Sequence, residues 1–270
     1  MTTKHRTAVS FLAFFLGSLG LVSAQDKVTI PLTDPSQPVT LKASLLTGSI
    51  TVKASSGREV VVEARTREHD SGGESGGRHR IAINATGLSA EEEDNHVEIG
   101  AETSKRAVDI DITVPVRTSL VLRSVNDGDI SVTGVSGELD VENINGSVTL
   151  TDVSGTAVAH ALNGRVLVNF KSITPGKPMA FSSLNGDIEV TFPPDLKANV
   201  SIYSGGGEVY SDFEIQMKPQ APQQVEGKRD KRGRYAVKFD KTVRGTIAGG
   251  GPEIQFKNFQ GDIYIKKAGK

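Results

Sequence analysis

The sequence predicts an all-β, single-domain β-solenoid, a β-helix-like stack with two strands in each 18-residue coil. Three observations predict it. Glycines fall at 128, 137, 146, 155 and 164, nine residues apart each time. After each glycine the second and fourth positions are small or branched apolar residues (Ile130 and Val132, Leu139 and Val141, Val148 and Leu150), with mostly polar residues between them. The residue before the glycine alternates along Ser136, Asn145, Ser154 and Asn163, so unlike corners recur at twice the glycine spacing. Alternation of this kind is a strand with one buried face. A fixed period with the apolar positions in register marks coils that bury their inner side only by stacking on neighbours.

The elements follow in chain order. Residues 1–24 read as a signal peptide: Lys4, His5 and Arg6 precede an apolar stretch over 8–22, and Val22-Ser23-Ala24 offers small residues before a cleavage point. That stretch is short for a membrane span, and no later one approaches the length required. The domain then runs over 25–270, with a regular core at 112–213, a basic insertion at 218–244 and closing strands at 245–267. Rungs about 4.8 Å apart should stack Ile130, Val148, Val166, Ile188 and Val209 in one line. Val135, Ile144, Val153 and Leu162, seventh after each glycine, should also face inward. Asn-Gly corners are expected because both residues tolerate positive φ. A longer copy is visible too, since Pro115 and Pro194 each precede a glycine by the same interval, with Leu120-Val121-Leu122 and Val200-Ser201-Ile202 between. Gly48-Ser49-Ile50 and Gly261-Asp262-Ile263 carry the unit toward both ends. Residues 89–96 are acidic all round and read as a loop or a single turn. The Gly- and Ser-rich residues 67–80 read as a flexible loop.

Composition removes several function classes. The chain has 270 residues, with 31 basic against 32 acidic side chains and no cysteine. Disulfides, thiolate metal sites and thiol nucleophiles are therefore excluded. A balanced charge argues against nucleic acid as a partner. No cofactor motif is present.

The segment Ile112-Thr113-Val114-Pro115, the repeated Asn-Gly corners and the ending Gly249-Gly250-Gly251-Pro252-Glu253-Ile254 followed by Gly261-Asp262-Ile263 resemble the bacterial exported β-strand-repeat family named “putative adhesin”, related to an autotransporter adhesin head domain. The likeness covers about residues 40 to 267. It implies a β-helix-like solenoid at the envelope or cell surface, and it brings no catalytic residues with it.

Each chemical candidate has a plainer explanation. A calcium β-roll needs Gly-Gly-x-Gly-x-Asp corners, whereas here one glycine is followed by an apolar residue. Gly73-Glu74-Ser75-Gly76-Gly77 matches a nucleophile elbow in spelling but lacks the flanking strand and helix. His69, Asp70, Glu74 and His79 share that loop without a rigid scaffold to gather them on a metal. His160 falls at an outward position. Asp129, Ser147, Arg165, Asp187 and Glu208 should form an outer ladder, with an ion pair between Arg165 and Asp187. Val158 and Leu167 break the outward polarity and call for cover, by the C-terminal excursion in preference to another chain. The basic run Lys228, Arg229, Lys231, Arg232 and Arg234 is the candidate interaction surface, suited to anionic headgroups or acidic envelope polymers.

The sequence thus points to an exported, non-enzymatic envelope or cell-surface module, adhesin-like, whose partners are an envelope polymer, an anionic surface or another envelope protein. Two alternatives stand beside it: a carbohydrate-active β-helix enzyme on acidic polysaccharide, and an envelope-stress accessory protein acting through a membrane partner.

Overall fold

The computed structural model describes residues 25–67, 86–101, 106–218, 224–229, 235–239 and 242–269. The described residues are all β, with no helix among them. Twenty strands join one hydrogen-bonded sheet, and Gln224–Arg229 pairs with Tyr235–Phe239 as a separate antiparallel hairpin. Residues 1–24, read above as a signal peptide, and residues 68–85, with His69, Asp70, Glu74, Ser75 and His79, lie outside the described residues.

Inward alternation sorts the strands into two ladders. The first runs Val108–Pro115, Ile50–Ser55, Ile130–Thr133, residues 148–151, Val166–Ile173, Ile188–Phe192, Ile263–Lys267 and Val209–Ser211, all parallel. The second runs His96–Ala101, Val39–Thr47, Thr118–Asn126, Ser136–Asn143, residues 154–163, Met179–Asn185, Glu253–Gln260 and Ala198–Ser204, again parallel. The 16-residue strand Val148–Asn163 belongs to both, bending at a bulge where Asp152 takes a φ of 53°. Between them lies one apolar cluster from Ile30 to Ile265, filled by Ile50, Leu122, Val141, Val148, Val166, Phe181 and their neighbours. Antiparallel strands border the ladders: Glu59–Thr66 and Gln25–Pro31 on the first, Leu88–Glu93 on the second, and Val243–Ile247 with Ile215–Met217 at the other end of the second.

The stacked line exists, with two changes. Ile130, Val148, Val166 and Ile188 are in register, but Ile263 sits between Ile188 and Val209. Val209 is the last rung and stays 40 % exposed, because no further coil covers it. Ile50 and Ile110 extend the line at the other end. Chain order and spatial order therefore part company at both ends. Strands 39–55 slip between 96–115 and 118–133, and strands 253–267 slip between 179–192 and 198–211. The longer copy does recur in space: Leu120 and Val200 both occupy the second ladder, Ile130 and Val209 the first.

The Asn-Gly corners meet the expectation in part: Asp127 and Gly186 take positive φ (57° and 149°), but two central corners do not. No residue of Asn145-Gly146 or Asn163-Gly164 has positive φ. The glycines are required by close approach instead: a Cβ on Gly146 would lie 2.1 Å from the Gly128 carbonyl oxygen, and one on Gly164 would lie 2.2 Å from that of Gly146. The asparagines form an outer ladder, in which Asn145 donates to Asn126 (2.9 Å), Asn163 to Asn145 (2.8 Å) and Asn185 to Asn163 (2.7 Å). At these corners Ile144 and Leu162 are only half-buried, unlike Val135 and Val153. The inward place goes to Ser124, Asn143, Ala161, Ser183 and Asn258, which stack in register. Their hydroxyls and amides cap corner carbonyls: Ser124 to Gly48 (2.9 Å), Asn143 to Gly128 (2.9 Å), Ser183 to Gly164 (2.9 Å) and Asn258 to Gly186 (2.9 Å). A buried carbonyl left without a donor costs free energy, so the column satisfies the corner carbonyls, while the Asn143 and Asn258 Oδ1 atoms stay buried without a partner.

Residues 89–96 are not a loop. Leu88–Glu93 and His96–Ala101 form a hairpin whose turn, Asp94-Asn95, has φ of 49° and 61°. Two left-handed residues match the twist of a tight hairpin, and Asp and Asn accept that conformation most readily after glycine.

Candidate binding surface

With the inner faces filled, chemistry is left to the outer faces and the insertions. The predicted interaction residues are only partly described. Lys228 and Arg229 lie on the hairpin strand Gln224–Arg229, in register with Ala236 and Tyr235. Lys231, Arg232 and Arg234 lie outside the described residues. Val158 and Leu167 are 45 % and 37 % exposed and lie on different ladders, so they make no common patch. His160 is half-buried in an outward row between Glu142 and Ser182, and its Nδ1 lies 2.6 Å from the Ser182 hydroxyl.

The outer ladder at the start of each first-ladder strand is held by backbone bonds rather than by an Arg165–Asp187 pair. The Ser147 N–H donates to Asp129 (2.7 Å), and the Asp262 N–H donates to Asp187 (3.0 Å). Among the described residues no ion pair joins Arg165 to Asp187, since that carboxylate is already turned along the stack. Arg67 makes a stronger rivet. Its guanidinium donates to both oxygens of Asp109 (2.8 and 2.6 Å), to the Ser49 hydroxyl (2.8 Å) and to the Asp127 carbonyl (2.7 Å). Burial pushes the Asp109 carboxyl up, but Arg67 and the Ser49 N–H outweigh it and hold its pKa below the ordinary value.

Among the described residues, a groove opens toward each end of the second ladder's outer face. Near the N-terminal end, a groove of about 690 Å³ is lined by Lys42, Glu91, Glu93, His96 and Glu98, and is dominated by carboxylates. Lys42 pairs with Glu98 at 2.7 Å. Toward the C-terminal end, a groove of about 500 Å³ is lined by Tyr203, Arg244, Gln255, Lys257 and Phe259 among others. Here the Tyr203 and Phe259 rings lie 5.3 Å apart at 58°, and the Lys257 ammonium sits 5.2 Å from the Phe259 ring centre. On the first ladder, Tyr210 and Tyr264 stack at 5.2 Å, and each phenol donates to a carboxylate, Glu208 and Asp262 respectively. The Glu208 hydrogen bond and its negative charge push Tyr210 up to about 12. These outward aromatics were legible but unread: alternation through Val200, Ile202 and through Ile254, Phe256 leaves Tyr203 and Phe259 on the polar side.

With the corners and both ladders in view, the family can be stated. The chain belongs to the Toastrack DUF4097 family, which it matches over residues 1–248. The family resemblance read from the corners and closing strands holds, and the fold is all-β and solenoid-like. Two solved structures are similar to the chain. One is a “putative cell adhesion protein” from Clostridium sporogenes ATCC 15579, with 11 % identity, 90 % of this chain and 100 % of that chain covered, and a TM-score of 0.36. The other is a “putative adhesin” from Bacteroides fragilis NCTC 9343, with 14 % identity, 90 % and 97 % covered, and a TM-score of 0.35. Likenesses this distant say nothing of what the chain binds. No curated protein matches it. Among the described residues, no helix is long and apolar enough to cross a membrane.

Proposed function

We propose that the chain is an exported, non-enzymatic interaction module of the bacterial envelope or cell surface, with residues 1–24 removed on export and residues 25–270 acting as one domain. Its core is wound as a solenoid with two strands per coil, and the partner is an anionic envelope polymer met by the outer ladders and the basic hairpin. The observation that supports this reading most is where the aromatic and cationic side chains stand. The interior is closed by apolar side chains, while Tyr203, Phe259, Lys257 and Lys266 are held outward on regular strands. A rigid scaffold that displays such groups suits recognition of an extended partner.

The test is sedimentation of the purified exported protein with insoluble envelope material, beside a screen for cleavage of acidic polysaccharides. Co-sedimentation that falls with rising salt, without new chain ends in the polysaccharide, is the expected result. Appearance of cleavage products that track with the protein would replace this reading with an enzymatic one.

A further inference from the structure

We propose that the groove between Ala198–Ser204, Val243–Ile247 and Glu253–Gln260 binds a polysaccharide bearing carboxylates, a proposal that rests on the reading above and narrows it to one site. Register sets the groove's floor. Lys257 lies beside Tyr203, Gln255 beside Ser201, and Ser201 beside Arg244. Phe259 follows Lys257 on the same face and is 39 % exposed, although Phe256 in the same strand is buried at 1 %. A large apolar ring displayed on a solvated strand contributes little to folding. Paired with a second ring 5.3 Å away, it offers an apolar platform to the C–H face of a sugar ring.

The polar groups around that platform decide which sugar. Lys257 and Arg244 bring positive charge to the groove, Lys257 with its ammonium over the Phe259 ring. Glu253 brings one negative charge, and its carboxylate already accepts the Gln255 amide at 3.0 Å. The hydroxyl of Ser201 and the amide of Gln255 supply partners for sugar hydroxyls. A volume of about 500 Å³ falls within the roughly 300–1,000 Å³ of ligand sites. The N-terminal groove on the same ladder sets the contrast. Glu91, Glu92, Glu93 and Glu98 line it and no phenylalanine or tyrosine does, so it should repel the same polymer.

The experiment uses the full exported protein, with polygalacturonate as the acidic probe and dextran as the neutral one, read by affinity electrophoresis and titration calorimetry. Wild type should bind polygalacturonate in a salt-sensitive manner and leave dextran alone. Phe259→Ala and Lys257→Gln should each weaken polygalacturonate binding at least about tenfold, while Glu91→Gln leaves it unchanged. All three positions lie on the surface, and thermal melts near that of wild type establish that the variants are folded. Equal binding of dextran overturns the carboxylate requirement. Wild-type affinity in both groove variants, with loss only on deleting residues 228–234, overturns the groove and leaves the wider reading standing. Failure to bind either polygalacturonate or envelope material overturns both.

Discussion

Residues 25–169 contain no aromatic side chain, whereas all seven phenylalanines and all four tyrosines beyond the first 24 residues lie at or after Phe170. The two regions share ladders, corners and register, yet their interiors are filled differently. In the first, the second ladder's inner column reads Leu122, Val141 and Ala159. In the second it continues as Phe181, Phe256 and Ile202. Phe170 and Phe192 face them from the first ladder, stacked at 5.4 Å, and Phe181 and Phe256 stack at 5.5 Å. The alanines at 157, 159 and 161 lie on the rung just before Phe181, where small residues leave room for the large rings. What differs further is the outside. The five buried phenylalanines, the four just named and Phe213, are explained by packing into the core; Tyr203, Tyr210, Phe259 and Tyr264 stay outside it. An aromatic content confined to one end, and present there on both sides of each ladder, is the contrast on which the proposed binding role rests.

Substitutions can break or sharpen this contrast. Placing a carboxylate in the middle of the stacked line, as Val148→Asp, buries an unpaired charge and should abolish the cooperative melt. The same change at the open end, Val209→Asp, should alter stability by no more than about 1 kcal/mol. Equal effects would show that the line does not end where the contacts place its last rung. Next in size, Phe181→Ala should cost about 3–5 kcal/mol in denaturant unfolding, against at most about 1.5 kcal/mol for the outward Phe259→Ala. In the aromatic-free region the corners should matter more. Gly164→Ala, forced against the Gly146 carbonyl, should cost about 1–3 kcal/mol. Asn163→Ala removes two ladder bonds worth about 0.5–1.5 kcal/mol each, seen as a lowered midpoint without a change in slope.

The smallest effect concerns acid. Asp109 has a folded pKa depressed below 3.8 by Arg67 and the Ser49 N–H. The stability it contributes is therefore present above that ordinary value and is lost as pH falls through the folded one. Its side chain is about one-third exposed, so screening keeps the contribution modest. Asp109→Asn should lower stability at neutral pH and flatten its decline in acid, measured as the denaturation midpoint against pH. An unchanged acid limb would remove Arg67 and Asp109 as the rivet of that corner.

How far the sequence could be read depends on the residue. The nine-residue glycines and the alternation around them identified Val148 and Val166 as inner residues, and both are fully buried. Asn143 could not be read that way, because an amide six places after a glycine looks outward until the corner carbonyl it caps is known. Asp94-Asn95 was readable as a hairpin turn but was hidden by the run of glutamates before it. The groove was out of reach, because Tyr203 and Phe259 lie far apart in the chain and meet only across paired strands.

The sequence alone determined the class of fold, the apolar inner positions that follow each repeating glycine and the places where those glycines fall. These follow from short-range alternation and from a repeat that each coil carries within itself. The tertiary structure decided which coil lies on which: residues 39–55 and 253–267 are drawn between coils distant in sequence, and Asn258 reaches Gly186 across 72 positions. Edge strands with matching inner faces can pair with many partners. The choice among them is made only when the whole stack closes, by the hydrogen bonds and buried surface gained together.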